Sequence, residues 1–141
     1  MKSVYIIGSL RNEKIPVVGN LLRDNGYDAF DDWWGAGHEA DDKWRDYENI
    51  RGRSHKDALF GYAARHVFAF DQHHLNRCDL AVLVMPAGKS GHLELGYFVG
   101  LGKPGFIYFD TVPDRYDVMH QFATDVFNSQ EELIKGLEAY R

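Results

Sequence analysis

The 141-residue chain is short of several features that would place it in a class at once. It holds one cysteine, Cys78, which excludes an internal disulfide framework and suits a reducing compartment. Cys78 stands just before an apolar run and reads as a small buried residue rather than a nucleophile. Positive charge is in deficit: 16 Lys and Arg against 21 Asp and Glu leave a formal charge of -5. That balance argues against a nucleic-acid binder working through a broad basic surface. It leaves open a small anion held by a few groups. No apolar run approaches the ~20 residues of a membrane span, and Val4-Tyr5-Ile6-Ile7 is too short for a signal-peptide core. The chain is therefore read as soluble and cytoplasmic, with neither membrane nor nucleic acid as partner. It shows no internal repeat, low-complexity tract or linker. Residues 1–141 are read as a single domain.

What is present is an alternation of apolar runs and helical periodicities. Val4–Ile7 reads as a buried strand ending at Gly8-Ser9. Ile15, Val17, Val18, Leu21 and Leu22 recur at helical spacing, and Asn25-Gly26 stops that helix. Tyr27–Phe30 is a short second strand. Residues 31–56 mix aspartates with Trp33, Trp34, Trp44 and glycines and read as a long loop with one helical turn. Loops of that length inside compact domains are usually functional. Lys56 to Arg77 reads as one long helix. Leu80–Met85 is a third strand, Gly91–Leu101 a helix and Gly105–Phe109 a fourth strand. Asp125–Phe127 is a fifth, and Ser129 caps a last helix through a Ser-x-x-Glu box with Glu132. Strands alternating with helices imply an α/β protein with a parallel sheet covered on both faces.

Chemistry concentrates where the third strand ends, in Pro86-Ala87-Gly88-Lys89-Ser90-Gly91-His92-Leu93-Glu94-Leu95-Gly96-Tyr97. Open α/β sheets bind ligands beyond the carboxyl ends of their strands. A glutamate in the first turn of the following helix would point into that crevice, with the helix dipole favouring its ionised form. An ionised carboxylate suits a nucleophile that forms a glycosyl ester. Taken without its loop, Glu94 is an ordinary exposed helix residue; the glycines beside it, which allow close approach of backbone to a ligand, weigh for the first reading. Asp71, among Phe68, Phe70 and Gln72, reads as a partly buried carboxylate that could donate a proton or orient a substrate. The alternative is a surface aspartate.

Gly8, Ser9 and Arg11 follow the first strand and combine amides, a hydroxyl and a guanidinium in a small anion site. Ser90 and Gly91 at the neighbouring strand end could complete it, and Gly88 is counted with the substrate-binding residues. Asp31 and Trp33 could bind a sugar or base hydroxyl and stack on a nucleobase. The competing reading is that the tryptophans pin the loop to the body. His92 reads as a ligand-binding or loop-ordering residue. No thiolate pair accompanies the histidines and His92 and Glu94 are two residues apart, so no metal site and no cofactor are assigned. Neither the phosphate-binding P-loop nor the dinucleotide glycine pattern is present.

The order of a Gly/Ser first loop, an aspartate-rich segment, Asp71, and then strand-Pro-x-Gly-x-Ser-x-His-x-Glu-x-Gly resembles the nucleoside 2-deoxyribosyltransferase superfamily. That group includes transferases on deoxynucleosides and hydrolases that release the base from nucleoside 5'-monophosphates. The resemblance implies a flavodoxin-like, Rossmann-like five-stranded parallel sheet with helices on both faces. It also implies homodimers or larger homo-oligomers with shared active sites, and a small-molecule nucleoside or nucleotide as substrate. In it, Glu94 matches the glutamate nucleophile, Asp71 the aspartate that assists at base or sugar, and Tyr5 and Gly8 the positions that line the pocket. The chain departs from the pattern at Gly88, where the transferases carry an aspartate and the monophosphate hydrolases often a serine. The C-terminal segment by which transferases reach a neighbour's site has no clear match; Met119-His120-Gln121-Phe122 is the stretch that could stand in its place. The expected activity is cleavage of an N-glycosidic bond with transfer of the sugar to another base or to water. A non-catalytic nucleotide-binding module and an NAD-cleaving hydrolase are the alternatives.

Overall fold

The computed structural model describes all residues from Met1 to Arg141. Five strands form one sheet: β1 (Ser3–Ile7), β2 (Asp28–Phe30), β3 (Leu80–Val84), β4 (Gly105–Tyr108) and β5 (Asp125–Phe127). All pair in parallel, in the order β2-β1-β3-β4-β5. Six α-helices connect and cover them: α1 (Ile15–Asp24), α2 (Ala40–Ile50), α3 (His55–Leu59), α4 (Tyr62–Arg77), α5 (Lys89–Gly100) and α6 (Gln130–Leu137). This is the flavodoxin-like arrangement expected from the sequence, and its strand order reverses between β1 and β3.

The reason lies in the strands. Every residue of β1 and β3 is buried, so both faces of the sheet must be covered. Val4 and Ile6 enter a cluster with Ile15, Val18 and Leu22 of α1 and Leu133 and Leu137 of α6. Tyr5 and Ile7, one residue out of step, enter a second cluster with Leu75 of α4 and Leu95 and Phe98 of α5. Pro16 starts α1, and Gly26, at φ +89°, turns the chain beyond its end. Ser129 caps α6 as predicted, accepting the Glu132 N–H at 3.1 Å. Cys78 is buried. No helix is long and apolar enough to cross a membrane.

Three expectations are corrected. Residues 31–56 are not a long loop: a 3-10 turn (Asp32–Ala36) is followed by the eleven-residue α2. The one buried position of α2 is Glu48, held by Arg51 at 3.2 Å and Arg53 at 3.3 Å. Its inward face is thus charged, and apolar periodicity had nothing to detect. The long helix from residue 56 is broken at Phe60-Gly61 into α3 and α4. A side chain on Gly61 would press on Arg53 and the Asp57 carbonyl. Finally, α5 begins at Lys89, with extended Gly88 as its cap, so Glu94 lies in the second turn and the first turn carries no acid.

Candidate active site

The site is built where β1 and α5 meet. Gly91 lets the helix approach the sheet: a Cβ there would stand 2.9 Å from Leu83 Cδ1 and 3.5 Å from Ile7 Cγ2. Three residues on, Glu94 reaches the β1 side of α5, where the buried Tyr5 hydroxyl donates to its Oε2 at 3.1 Å. Asp71 precedes Leu75 by one helical turn on α4, and Leu75 packs in the same cluster as Tyr5. Phe30 stacks on His74 at 3.8 Å between ring centroids, and Phe70 meets His74 edge-on at 4.7 Å, walling this side of the site. Arg77 Nε donates to His74 Nδ1 at 2.7 Å, which fixes that imidazole as an acceptor.

Burial dominates the electrostatics here. It pushes the Glu94 carboxyl up to about 7; the Tyr5 bond opposes the rise and the Asp71 charge adds to it. Burial also raises Asp71. The Tyr5 hydroxyl is pushed well up, by burial first and then by the charges of Glu94 and Asp71, so it stays a donor at any ordinary pH. The expectation that the helix dipole keeps Glu94 readily ionised is therefore corrected. Second-turn placement removes most of that effect, and desolvation works against the charge. What results is a carboxyl that ionises near neutrality, oriented by a fixed hydroxyl, with the Asp71 carboxyl, also raised by burial, beside it. Such a pair has the parts of a nucleophile and a proton-transfer partner.

Beside it, at the strand-order reversal, a cleft is lined by Ser9, Arg11, Asn12, Glu13, Lys14, Pro86, Ala87 and Gly88. Asn12 organises its floor. The buried side chain donates to the Val84 carbonyl at 3.5 Å and accepts the Lys14 N–H at 3.0 Å, and the Asn12 carbonyl takes the Trp34 indole N–H at 3.0 Å. Ser9 Oγ accepts the Arg11 N–H at 3.1 Å. The Arg11 guanidinium is largely exposed, 3.8 Å from Asp42 of α2. Lys14 pairs with Asp110. Gly8 packs where a Cβ would meet Ile15, and Ser90 is exposed in the first turn of α5.

The structure thus brings Tyr5, Asp71 and Glu94 together and sets Ser9, Arg11 and Gly88 around the adjoining cleft, with Gly8 behind them. Other candidates lie apart. The Asp31 carboxylate is paired with Arg23 of α1, and Trp33 Nε1 donates to the Ile6 carbonyl at 2.7 Å. With Trp34 on Asn12, these contacts anchor the 3-10 turn to the body. His92 lies on the opposite flank of α5 from Glu94, bonded to the Gly88 carbonyl at 2.8 Å and to His120 at 3.2 Å. Sequence reasoning assigned no role to Asn12, Lys14 or His74. The Asn-x-Lys run after the first loop was the available signal for the first two, since an asparagine there bonds its own backbone two residues on.

Fold and geometry together define a flavodoxin-like α/β protein with a half-buried carboxyl pair at the carboxyl ends of β1 and β3. No protein-family model matches the chain, and no curated protein sequence does. Among solved structures it is similar to a 2-deoxyribosyltransferase from Bacillus psychrosaccharolyticus, with a TM-score of 0.64 at 18% identity over 94% of this chain and 90% of that one. It is also similar to the CMP N-glycosidase BcmB of Clostridium botulinum, with a TM-score of 0.57 at 14% identity over 97% of this chain and 99% of that one. At these identities the likeness establishes the shared fold.

Proposed function

We propose that the protein belongs to the nucleoside 2-deoxyribosyltransferase superfamily and cleaves the N-glycosidic bond of a (deoxy)nucleoside or its 5'-monophosphate. The observation that carries this reading is the Tyr5–Glu94 hydrogen bond with Asp71 beside it. A site made only to hold an anionic nucleotide gains little from two half-buried carboxyls. In the reaction, ionised Glu94 attacks C1' and the C1'–N bond breaks, its electron pair leaving with the base. The departing base takes a proton from the Asp71 carboxyl, directly or through a water. A second base or a water then displaces Glu94 from C1', and Asp71 takes the proton that the incoming N–H or water gives up. Splitting one displacement into two lowers each barrier, and the chemistry uses side chains alone. The transferase and the N-glycosidase of similar structure correspond to the two acceptors, base and water.

The cleft of Ser9, Arg11 and Lys14 is suited to a 5'-phosphate, with Gly88 at its far lip. We read residues 1–141 as one domain of a cytoplasmic enzyme. We also read it as a homodimer or larger homo-oligomer, because Tyr62, Val67 and Phe68 of α4, Leu93 of α5 and Leu101 just beyond it are exposed. The reading is tested by chromatography of reactions with nucleosides, deoxynucleosides and their 5'-monophosphates, with and without a second free base. Base release or exchange that is lost in Glu94→Ala supports it. Nucleotide binding with no turnover of any substrate replaces it with a binding module.

A further inference from the structure

His92 and His120 come from different parts of the fold, α5 and the 3-10 turn Val118–Phe122 in the β4–β5 connection. Their Nε2 atoms are 3.2 Å apart, their ring centroids 5.4 Å apart and their planes 16° apart. Those values together put the rings nearly coplanar and end to end, each Nε2 aimed at the other. A metal shared by both would need the two lone pairs to converge beside the line joining them, and here they oppose. One proton must lie between the nitrogens.

Its placement follows from the rest of the contacts. His92 Nδ1 is 2.8 Å from the Gly88 carbonyl, which can only accept, so Nδ1 carries a hydrogen. Neutral His92 then has a bare Nε2, and His120 must donate its Nε2–H to it. The Gly88 carbonyl also receives the His92 backbone N–H at 3.4 Å, so the side chain makes the shorter of its two bonds. Gly88 is the cap of α5 and lines two clefts. One is the Ser9–Arg11–Lys14 cleft, and the other lies between α5 and the turn, with Lys89, Leu93, Asp117 and Met119.

We propose that His120 is a positioning residue: by donating to His92 it selects the tautomer that holds the Gly88 carbonyl, and so fixes the loop that enters α5 at the lip of the substrate cleft. The latch is the chain of hydrogen bonds from His120 through His92 to the Gly88 carbonyl. Phe109 packs on His120, and Lys89 and Asp117 line the adjoining cleft with His92, the Asp117 Oδ1 accepting the Met119 N–H at 2.9 Å.

The test has a spectroscopic arm independent of activity and a kinetic arm that rests on the glycosidic reading. Imidazole 15N shifts at pH 8 should show His92 protonated at Nδ1 only and His120 at Nε2 only. Either ring in the other tautomer at pH 8 overturns the proposal. In kinetics, His120→Phe removes the donor and should raise KM about five- to tenfold with kcat changed less than twofold. His120→Gln, which can still donate an N–H, should restore KM at pH 7.5. Equal KM values for wild type and His120→Phe overturn the link to the substrate cleft. Should no substrate be turned over, the glycosidic reading fails, and the 15N arm alone decides the latch.

Discussion

The Tyr5 hydroxyl on β1 donates to Glu94 Oε2 on α5 across 3.1 Å, joining the first strand of the sheet to the helix that leaves the third. That bond favours the ionised form of a carboxyl that burial pushes up to about 7. Tyr5→Phe keeps the ring and removes the donor. A hydrogen bond to a charged group contributes roughly 1.5–3 kcal/mol, and ~1.4 kcal/mol corresponds to one pH unit. The acid limb of the kcat/KM profile should move to higher pH by about one unit, with activity at pH 7 falling about fivefold. A profile that keeps its midpoint would detach Tyr5 from the ionisation of Glu94.

Stability should carry the same signature with a definite sign. Glu94 binds its proton more tightly in the folded chain than at its ordinary value of 4.5. Its contribution is complete below pH 4.5 and is lost as pH rises through about 7. Glu94→Gln has no charge to bury. Relative to wild type it should gain about 2 kcal/mol between pH 5 and pH 8, a value set below the full linkage figure because the residue is partly exposed. Urea unfolding of both proteins at the two pH values measures it, and an unchanged difference would show that the carboxyl is not desolvated.

Arg11 offers a guanidinium at the rim of the cleft with only Asp42, at 3.8 Å, to hold it. Arg11→Ala should raise KM for 5'-monophosphates by about tenfold or more, the loss of one charge-assisted contact, and leave KM for nucleosides within about twofold. Steady-state kinetics on a matched nucleoside and monophosphate pair separates the two. Equal effects would remove the phosphate from this cleft.

Lys103 holds the end of α4. Its ammonium donates to the carbonyls of Leu75 at 2.7 Å, Asn76 at 2.9 Å and Cys78 at 2.7 Å, and lies 4.3 Å from the Phe98 ring centroid. Lys103→Met keeps much of the stem and strands three carbonyls at a helix terminus. A loss of about 2–3 kcal/mol in denaturant unfolding is expected. A change under about 0.5 kcal/mol would mean that water replaces the ammonium without cost.

Much of the frame was legible because β1 and β3 are unbroken apolar runs and the helices after them carry apolar stripes. Glu94 was legible because glycines flank it, and Asp71 because aromatic residues do. The α2 helix escaped notice because its inward residue is Glu48, whose burial is balanced by Arg51 and Arg53. Such an ion pair leaves no periodic trace. Asp31 and Trp33 looked like ligand groups, yet their polar atoms are taken by Arg23 and the Ile6 carbonyl, partners that only the folded chain brings near. The electrostatics of Glu94 were misjudged for the same reason. The dipole of a helix can be argued from local sequence, whereas desolvation beneath Tyr5 depends on a strand 89 residues away.

The central claim is that Glu94 takes the sugar. Reactions quenched in acid within the first turnover, followed by intact-mass and peptide-mapping mass spectrometry, test it most directly. A mass increase equal to the sugar or sugar phosphate, mapped to Glu94 and absent from Glu94→Gln, is the predicted result. Base release at full rate with no adduct on Glu94, or undiminished in Glu94→Gln, would contradict it.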